Sequence, residues 1–154
     1  MSDTCVNHIE EHWKALTTES NNFFKKGNYK KALSGYKDAL YRAEVLNNNI
    51  SDCIRLKTAF VQIYIISCNN LANTFEKLNN KKETEKLLKR VIYYLLHLKT
   101  NKDLNIDSLQ SELKRATLAY IYFRKKNNLV KKEDEKLFTE IKKQLIENNV
   151  INIP

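Results

Sequence analysis

Residues 16–40 read LTTESNNFFKKGNYKKALSGYKDAL, and this stretch decides the fold. A small residue, Ser20, stands one helical turn before an aromatic residue, Phe23, and Gly27 then breaks the helix. After the break an apolar stripe returns at steps of three and four, which places its side chains on one helical face. The stripe consists of Ala32, Leu33, Tyr36, Ala39 and Leu40. The stretch therefore predicts two helices that pack against each other across a tight turn.

The composition extends this interpretation to the whole chain. Among 154 residues there are two glycines and one proline, and 42% of the residues are apolar and 29% charged. Because sheet proteins use Gly and Pro at their many turns, this composition favours long helices with short connections. Apolar spacing predicts six helices, over residues 6–26, 29–46, 51–78, 82–98, 108–126 and 131–147.

These helices predict an all-α protein that folds as a single domain over residues 1–154. Its core lies within about residues 6–147, and residues 148–154 form a loose tail. Ser51 is the expected N-cap of the third helix, because a serine hydroxyl accepts a hydrogen bond from the first free N–H groups of a helix.

The order of small residue, aromatic residue and turn occurs three times. The three pairs, related by shifts of 52 and then 47 residues, are Ser20 with Phe23, Ala72 with Phe75, and Ala119 with Tyr122. A Gly-Asn or Asn-Asn turn follows each pair within five residues. We interpret the small residue as the place where two helices cross closely. A generic helical bundle with a chance repeat is the alternative.

These residues resemble the signature of the tetratricopeptide repeat. The matches are Leu16-x2-Glu19-Ser20-x2-Phe23 with Ala32-x3-Tyr36-x2-Ala39, then Leu71-Ala72-x2-Phe75 and Leu118-Ala119-x2-Tyr122. The resemblance covers about residues 13–146 and implies a right-handed α-α superhelix of about three helix pairs. The chain departs from the family because its small residues are not glycine and the closing proline is absent. Without that proline the second helix of each pair runs on, which explains a spacing near 50 residues instead of about 34.

The resemblance also implies where a partner binds, because the first helix of each pair lines the concave face of such a superhelix. Asparagine carboxamides there can donate to and accept from a peptide backbone, and lysine or arginine suits carboxylates. The predicted peptide-binding residues are Lys14, Asn21, Asn69, Asn70, Asn73, Lys77, Tyr120 and Arg124, flanked by Thr17, Lys25 and Phe123. We predict a protein–protein interaction scaffold or adaptor that binds a peptide segment, acidic in character, in this groove. The alternative is that these side chains are solvated residues of exposed faces.

A more specific interpretation is the clamp with which tetratricopeptide co-chaperones bind the acidic tail of a chaperone. Asn21 and Asn73 match two asparagines of that clamp. Its first lysine is replaced by Thr17, and its two cationic positions in the fifth helix hold Ala116 and Tyr120. Without these cations a carboxylate loses charge-assisted hydrogen bonds. A co-chaperone-type module is therefore kept as an alternative function.

The charge distribution raises a second alternative. The formal net charge is +9; residues 1–77 carry 10 basic and 8 acidic side chains, whereas residues 78–154 carry 17 and 10. Basic residues at 124–126 and 131–132 follow several aromatic residues, and such clusters bind phosphates. Acidic residues at 133–135 interrupt the cluster, and the sequence shows no recognition-helix or RNA-binding signature. A basic helical nucleic-acid-binding protein is the alternative, and a lysine-rich composition explains the same residues without a function.

No motif in the sequence indicates catalysis, a cofactor or a metal. His8 and His12 lie four residues apart, but the stretch reads His-Ile-Glu-Glu-His, which is not the HExxH order of zinc proteases. A glycine-rich phosphate loop, GxSxG and Cys-x2-Cys are absent from the sequence. We therefore predict that the protein is not an enzyme and has no catalytic residues, cofactor or metal ligands.

The sequence also predicts a cytoplasmic protein. Its longest apolar stretch, residues 59–66, is far shorter than the roughly 20 residues that a membrane-spanning helix needs. The N-terminus has neither the basic start nor the apolar run of a signal peptide. Cys5, Cys53 and Cys68 are odd in number and lack metal-ligand spacing, as expected for reduced structural thiols.

Overall fold

The computed structural model describes residues 1–129 and 133–146, and all regular secondary structure in these residues is helical. The all-α prediction is therefore confirmed for this part of the chain. The helices are α1 Asp3–Lys25, α2 Tyr29–Asn47, α3 Ile50–Arg55, α4 Phe60–Lys77, α5 Lys81–Leu98, α6 Ile106–Lys126 and α7 Glu133–Ile146. None of these helices is both long enough and apolar enough to cross a lipid bilayer.

The third predicted helix, residues 51–78, is wrong in its first part. The chain forms the short α3, leaves helical geometry, and begins again as α4. Lys57 adopts a positive φ of 57°, and the N–H of Thr58 donates to the carbonyl of Cys53 at 2.9 Å, which closes α3. Ser51 is not an N-cap, because α3 begins at Ile50. The long spacing between the first two pairs therefore comes from α3 and this break as well as from the length of α2.

Three left-handed residues close α1, α4 and α6. They are Gly27 with φ 77°, Asn79 with φ 57° and Asn128 with φ 53°. In each turn the following N–H donates to a carbonyl five positions earlier, over 2.9 to 3.0 Å. Glycine adopts this conformation without a steric penalty, and asparagine tolerates it better than most residues. Together with α3, which Lys57 closes in the same way, this helix ending occurs at four of the described helices.

The residue after each of the first two turns begins the next helix. The carboxamide oxygen of Asn28 accepts from the N–H of Lys31 at 3.4 Å, and that of Asn80 accepts from the N–H of Glu83 at 3.2 Å. Such side chains satisfy one of the backbone donors that a helix leaves free at its start. The Gly-Asn and Asn-Asn pairs thus end one helix and cap the next. These asparagines therefore have a structural role and do not merely reflect an asparagine-rich composition.

Backbone contacts divide the chain into two compact units, Met1–Leu87 (unit 1) and Leu88–Pro154 (unit 2), with the boundary inside α5. Whether the two unfold together, as the predicted single domain implies, stays a prediction. The predicted tail 148–154 and the predicted ends of the sixth helix at 131 and 147 lie outside the described residues.

The core of unit 1 joins α1, α2 and α4. The indole Nε1 of Trp13 donates to the hydroxyl of Ser67 at 2.8 Å, and both side chains are buried. Ser20 is buried where α1 crosses α2, and a Cβ built on Gly35 would lie 2.0 Å from its hydroxyl oxygen. The small residue therefore lies at a close helix crossing, as the sequence predicts.

Ala72 occupies the matching place in the second pair. It is buried, and its carbonyl oxygen accepts from the hydroxyl of Thr84 in α5 at 3.4 Å, so α4 and α5 approach closely there. We expect Ala72→Leu to lower the free energy of unfolding by about 1–3 kcal/mol, because the larger side chain overfills the crossing. Urea denaturation followed by circular dichroism measures the loss. Ala15→Leu, at an exposed position of α1, is the matched control. Equal urea midpoints for the two variants would contradict the placement of Ala72 at a close helix crossing.

The core of unit 2 is built on Tyr120, which is fully buried and stacks on Phe138 of α7 with 5.8 Å between ring centroids. The buried side of α6 consists of Leu109, Gln110, Leu113, Thr117, Tyr120 and Phe123. Ala119 and Tyr122 are exposed instead, so the third predicted small–aromatic pair is wrong.

A shift of 49 residues, rather than 47, aligns the second pair with the third. It places the buried Leu71 on Tyr120, the buried Thr74 on Phe123, and the left-handed Asn79 on Asn128.

Candidate functional site

A cleft in unit 1 brings together three of the predicted peptide-binding residues. It has a volume of about 140 Å³ and lies among α1, α2 and α4. We call it the amide cleft; its lining residues are Asn21, Phe24, Lys25, Tyr36, Asn70 and Asn73. Three carboxamides, one ammonium group, one phenol and one phenyl ring therefore face a single small volume.

The helix geometry explains this set. Asn21 and Lys25, like Asn70 and Asn73, are separated by one helical turn, so each pair projects from one side of its helix. Tyr36 reaches the cleft from α2, and its hydroxyl donates to the Oδ1 of Asn21. Burial raises the pKa of Tyr36, which keeps the hydroxyl protonated as a donor at neutral pH.

The hydrogen bond from Tyr36 gives Asn21 a defined orientation. Since its carbonyl oxygen accepts this bond, the Nδ2 of Asn21 is the atom that can donate to a ligand. Asn70 is half-buried and Asn73 exposed, so both carboxamides remain accessible from the cleft mouth. Lys25 is exposed and supplies a positive charge, and no carboxylate belongs to the lining. The cleft therefore suits a ligand with both backbone-like polar groups and a negative charge.

The other predicted site residues lie elsewhere. Lys14 is exposed on α1 and pairs with Glu10 at 3.4 Å. Asn69 and Lys77 are exposed on α4 but do not line the amide cleft. None of the three contributes to this site.

Two predicted site residues belong to unit 2. Tyr120 cannot contact a partner, because it is fully buried, and its assignment to a peptide-binding face is wrong. The guanidinium of Arg124 lies 4.9 Å from the ring centroid of Phe138 and 5.9 Å from that of Tyr120, so it packs over the aromatic core of the unit. Phe123, predicted to flank the groove, is also buried.

The corrected register identifies residues that the sequence interpretation missed. A shift of 49 carries the exposed Asn69 onto Leu118 and the exposed Asn73 onto Tyr122, and both α6 residues are exposed, by 53% and 69%. No signal in the sequence distinguishes the shift of 49 residues from the shift of 47. Asn127 and Asn128 are adjacent, and either could end the helix. Asn128 adopts the left-handed conformation, and this sets the alignment of the third pair with the second.

The co-chaperone alternative and the histidine pair receive little support from their surroundings. Thr17, which stands where the clamp has its first lysine, is buried. The Nδ1 of His12 accepts from the Nε of Arg42 at 3.3 Å, which ties α1 to α2. Within residues 1–129 and 133–146, no three His, Cys, Asp or Glu side chains are grouped closely enough to hold a metal ion.

Comparison with known proteins places the chain in one family. A family model described as "Protein of unknown function (DUF2753)" matches residues 11–152. The chain therefore belongs to this family. No tetratricopeptide family model matches it. No curated protein and no solved structure matches the chain.

Proposed function

We propose that the protein is a cytoplasmic, non-enzymatic interaction scaffold of tetratricopeptide-like helix pairs, and that its amide cleft binds a peptide segment of a partner protein. The observation that supports this proposal most is the convergence of Asn21, Asn70 and Asn73 on one cleft. The three residues come from two helices that are far apart in the sequence, and helix packing brings them together.

The chemistry of the lining suits an extended peptide. A peptide backbone in that conformation presents N–H and C=O groups that have no partner of their own, and carboxamides both donate and accept. The ammonium group of Lys25 adds a charge-assisted contact for an acidic side chain. Phe24 offers an apolar surface beside these polar groups. A short segment that alternates backbone contacts with one acidic side chain fits this arrangement.

The same lining favours binding over catalysis. Its six side chains include no carboxylate, imidazole or thiol, which are the usual general bases and nucleophiles. The phenol of Tyr36 and the ammonium of Lys25 are the titratable groups present, and burial moves the pKa of Tyr36 further from neutrality. The cleft thus offers hydrogen bonds and charge rather than proton transfer at neutral pH.

Asn73→Ala tests the proposal. Peptides selected from a random library against the full chain provide the probes, and isothermal titration measures their affinity. We expect Asn73→Ala to weaken binding by about 1–3 kcal/mol, because a polar group of the bound peptide loses its partner. Asn69→Ala is the matched control: it removes the same carboxamide from α4 at an exposed position outside the cleft.

Lys25→Ala gives a second arm of the experiment. Its effect should be smaller than that of Asn73→Ala and should disappear at high salt, because exposed charges are screened. Both residues are exposed, so the helix content and thermal midpoint should stay unchanged. Selected peptides that bind the Asn73 and Asn69 variants equally tightly would rule out the amide cleft as the binding site.

A further inference from the structure

The C-terminal half of α6 carries an apolar surface that the described residues of its unit leave exposed. Leu118 is 53% exposed and Tyr122 is 69% exposed, the largest value among the large apolar residues that the structure describes. They lie one turn apart on the helix. Single exposed apolar residues are common, whereas contiguous apolar patches mark interaction sites, and this pair lies on one helix face.

The strip lies opposite the core of unit 2. Successive residues of a helix turn by about 100°, so Leu118, Ile121 and Tyr122 share one side of α6 while Tyr120 points away from them. We call these three residues the outer face of α6. Ile121 also lines a cleft of about 320 Å³, together with Arg124, Lys125, Asn128 and Leu129. The outer face thus combines a projecting strip with an adjacent cleft that is large enough for a bulky side chain and has Ile121 and Leu129 in its lining.

Positive charge borders the outer face. Lys125 lines the cleft, and the turn of about 100° per residue places Arg115 and Lys126 toward the other edge of the strip. The nearest acidic residue of α6, Glu112, pairs with Arg115 at 3.0 Å. The side chain of Arg115 remains 77% exposed in this pair, so it stays accessible to a second carboxylate.

We infer that the outer face of α6 binds an acidic amphipathic helix of another protein. Leu118 and Tyr122 form a ridge with four-residue spacing, and such a ridge packs into the groove of a second helix. Apolar side chains of the partner occupy the strip and the cleft, and its glutamates or aspartates face the basic border. A second copy of this chain is a poor occupant, because each copy carries a net charge of +9.

This inference does not rest on the amide cleft, which lies in unit 1 and is lined mainly by polar side chains. The two sites are therefore tested with different variants. Loss of binding at one site would therefore not contradict the proposal for the other site.

The test uses the full chain and a fluorescent designed peptide with leucine on one helix face and glutamate on the other. We expect binding by fluorescence anisotropy that weakens when salt is added, since the charges at the border are exposed. The double variant Leu118→Ser/Tyr122→Ser should weaken binding at least about tenfold, as removal of anchor residues does at interfaces. Tyr41→Ser, which removes a 58% exposed tyrosine of α2, is the control and should leave affinity unchanged.

Three results would overturn the inference. The first is no binding of the glutamate peptide, or binding that the double variant leaves intact. The second is equal binding of a peptide with lysine in place of glutamate, because charge complementarity would then be absent. The third is a dimer in sedimentation velocity that the double variant dissociates, which would assign the face to a second copy. Circular dichroism of the double variant should show unchanged helix content.

Discussion

Replacing Trp13 by alanine is expected to lower the free energy of unfolding by about 3–5 kcal/mol. The indole is buried between α1 and α4, and its Nε1 donates to Ser67 at 2.8 Å. The substitution leaves a large cavity and removes a buried hydrogen bond at the same time. Because folded domains are stable by only about 5–15 kcal/mol, this variant should lie close to the limit of folding.

Urea denaturation followed by far-ultraviolet circular dichroism measures this effect, since the variant lacks the single tryptophan of the chain. Tyr41→Ala serves as the control, because it removes an aromatic ring that is 58% exposed and should change stability by less than about 0.5 kcal/mol. Trp13→Phe should fall between the two, because it keeps an aromatic ring but loses the donor to Ser67. Comparable urea midpoints for Trp13→Ala and Tyr41→Ala would contradict the burial of the indole in the core of unit 1.

The second large effect concerns the register of α6. We expect Tyr120→Ala to lower the free energy of unfolding by about 3–5 kcal/mol, because the ring is fully buried and stacks on Phe138. Tyr122→Ala should change it by less than about 0.5 kcal/mol, because that ring is 69% exposed. The two tyrosines lie two positions apart on one helix and are therefore well-matched variants.

Thermal unfolding of both variants distinguishes the two registers directly. The shift of 47 residues places Tyr122 in the core, whereas the shift of 49 places Tyr120 there. A large loss of stability for Tyr122→Ala and a small one for Tyr120→Ala would restore the register that the sequence predicts.

The helices themselves could be predicted because local chemistry determines them. Gly27 and the two asparagines after Leu78 mark helix ends in the sequence, and the apolar stripes of α1, α2 and α5 have the expected period. The break before α4 could not be predicted in this way. Residues 56–59 contain neither Gly nor Pro, and the left-handed residue there is Lys57, whose side chain gives no indication of that conformation.

The amide cleft was predictable in part, because helical spacing determines which residues share one side of a helix. Asn21, Asn70 and Asn73 follow from helical spacing once the first two pairs are aligned. Lys14, Asn69 and Lys77 share these helices, but they lie at positions that do not line the cleft. Which side of a helix is covered depends on its tertiary neighbours, and Leu118 and Tyr122 show that a hydrophobic residue at the expected spacing can face outward.

The asparagine turns also affect the chain before it folds. Glycine loses more backbone entropy on folding than any other residue, whereas a residue with a side chain samples fewer conformations when unfolded. Asn79 and Asn128 adopt the left-handed conformation that Gly27 adopts in the first turn, and the sequence contains only two glycines. Its disordered ensemble is therefore narrower than that of a chain with glycine at every turn. Asn79 and Asn128 thus influence the stability of the folded protein through the conformational entropy of the unfolded chain.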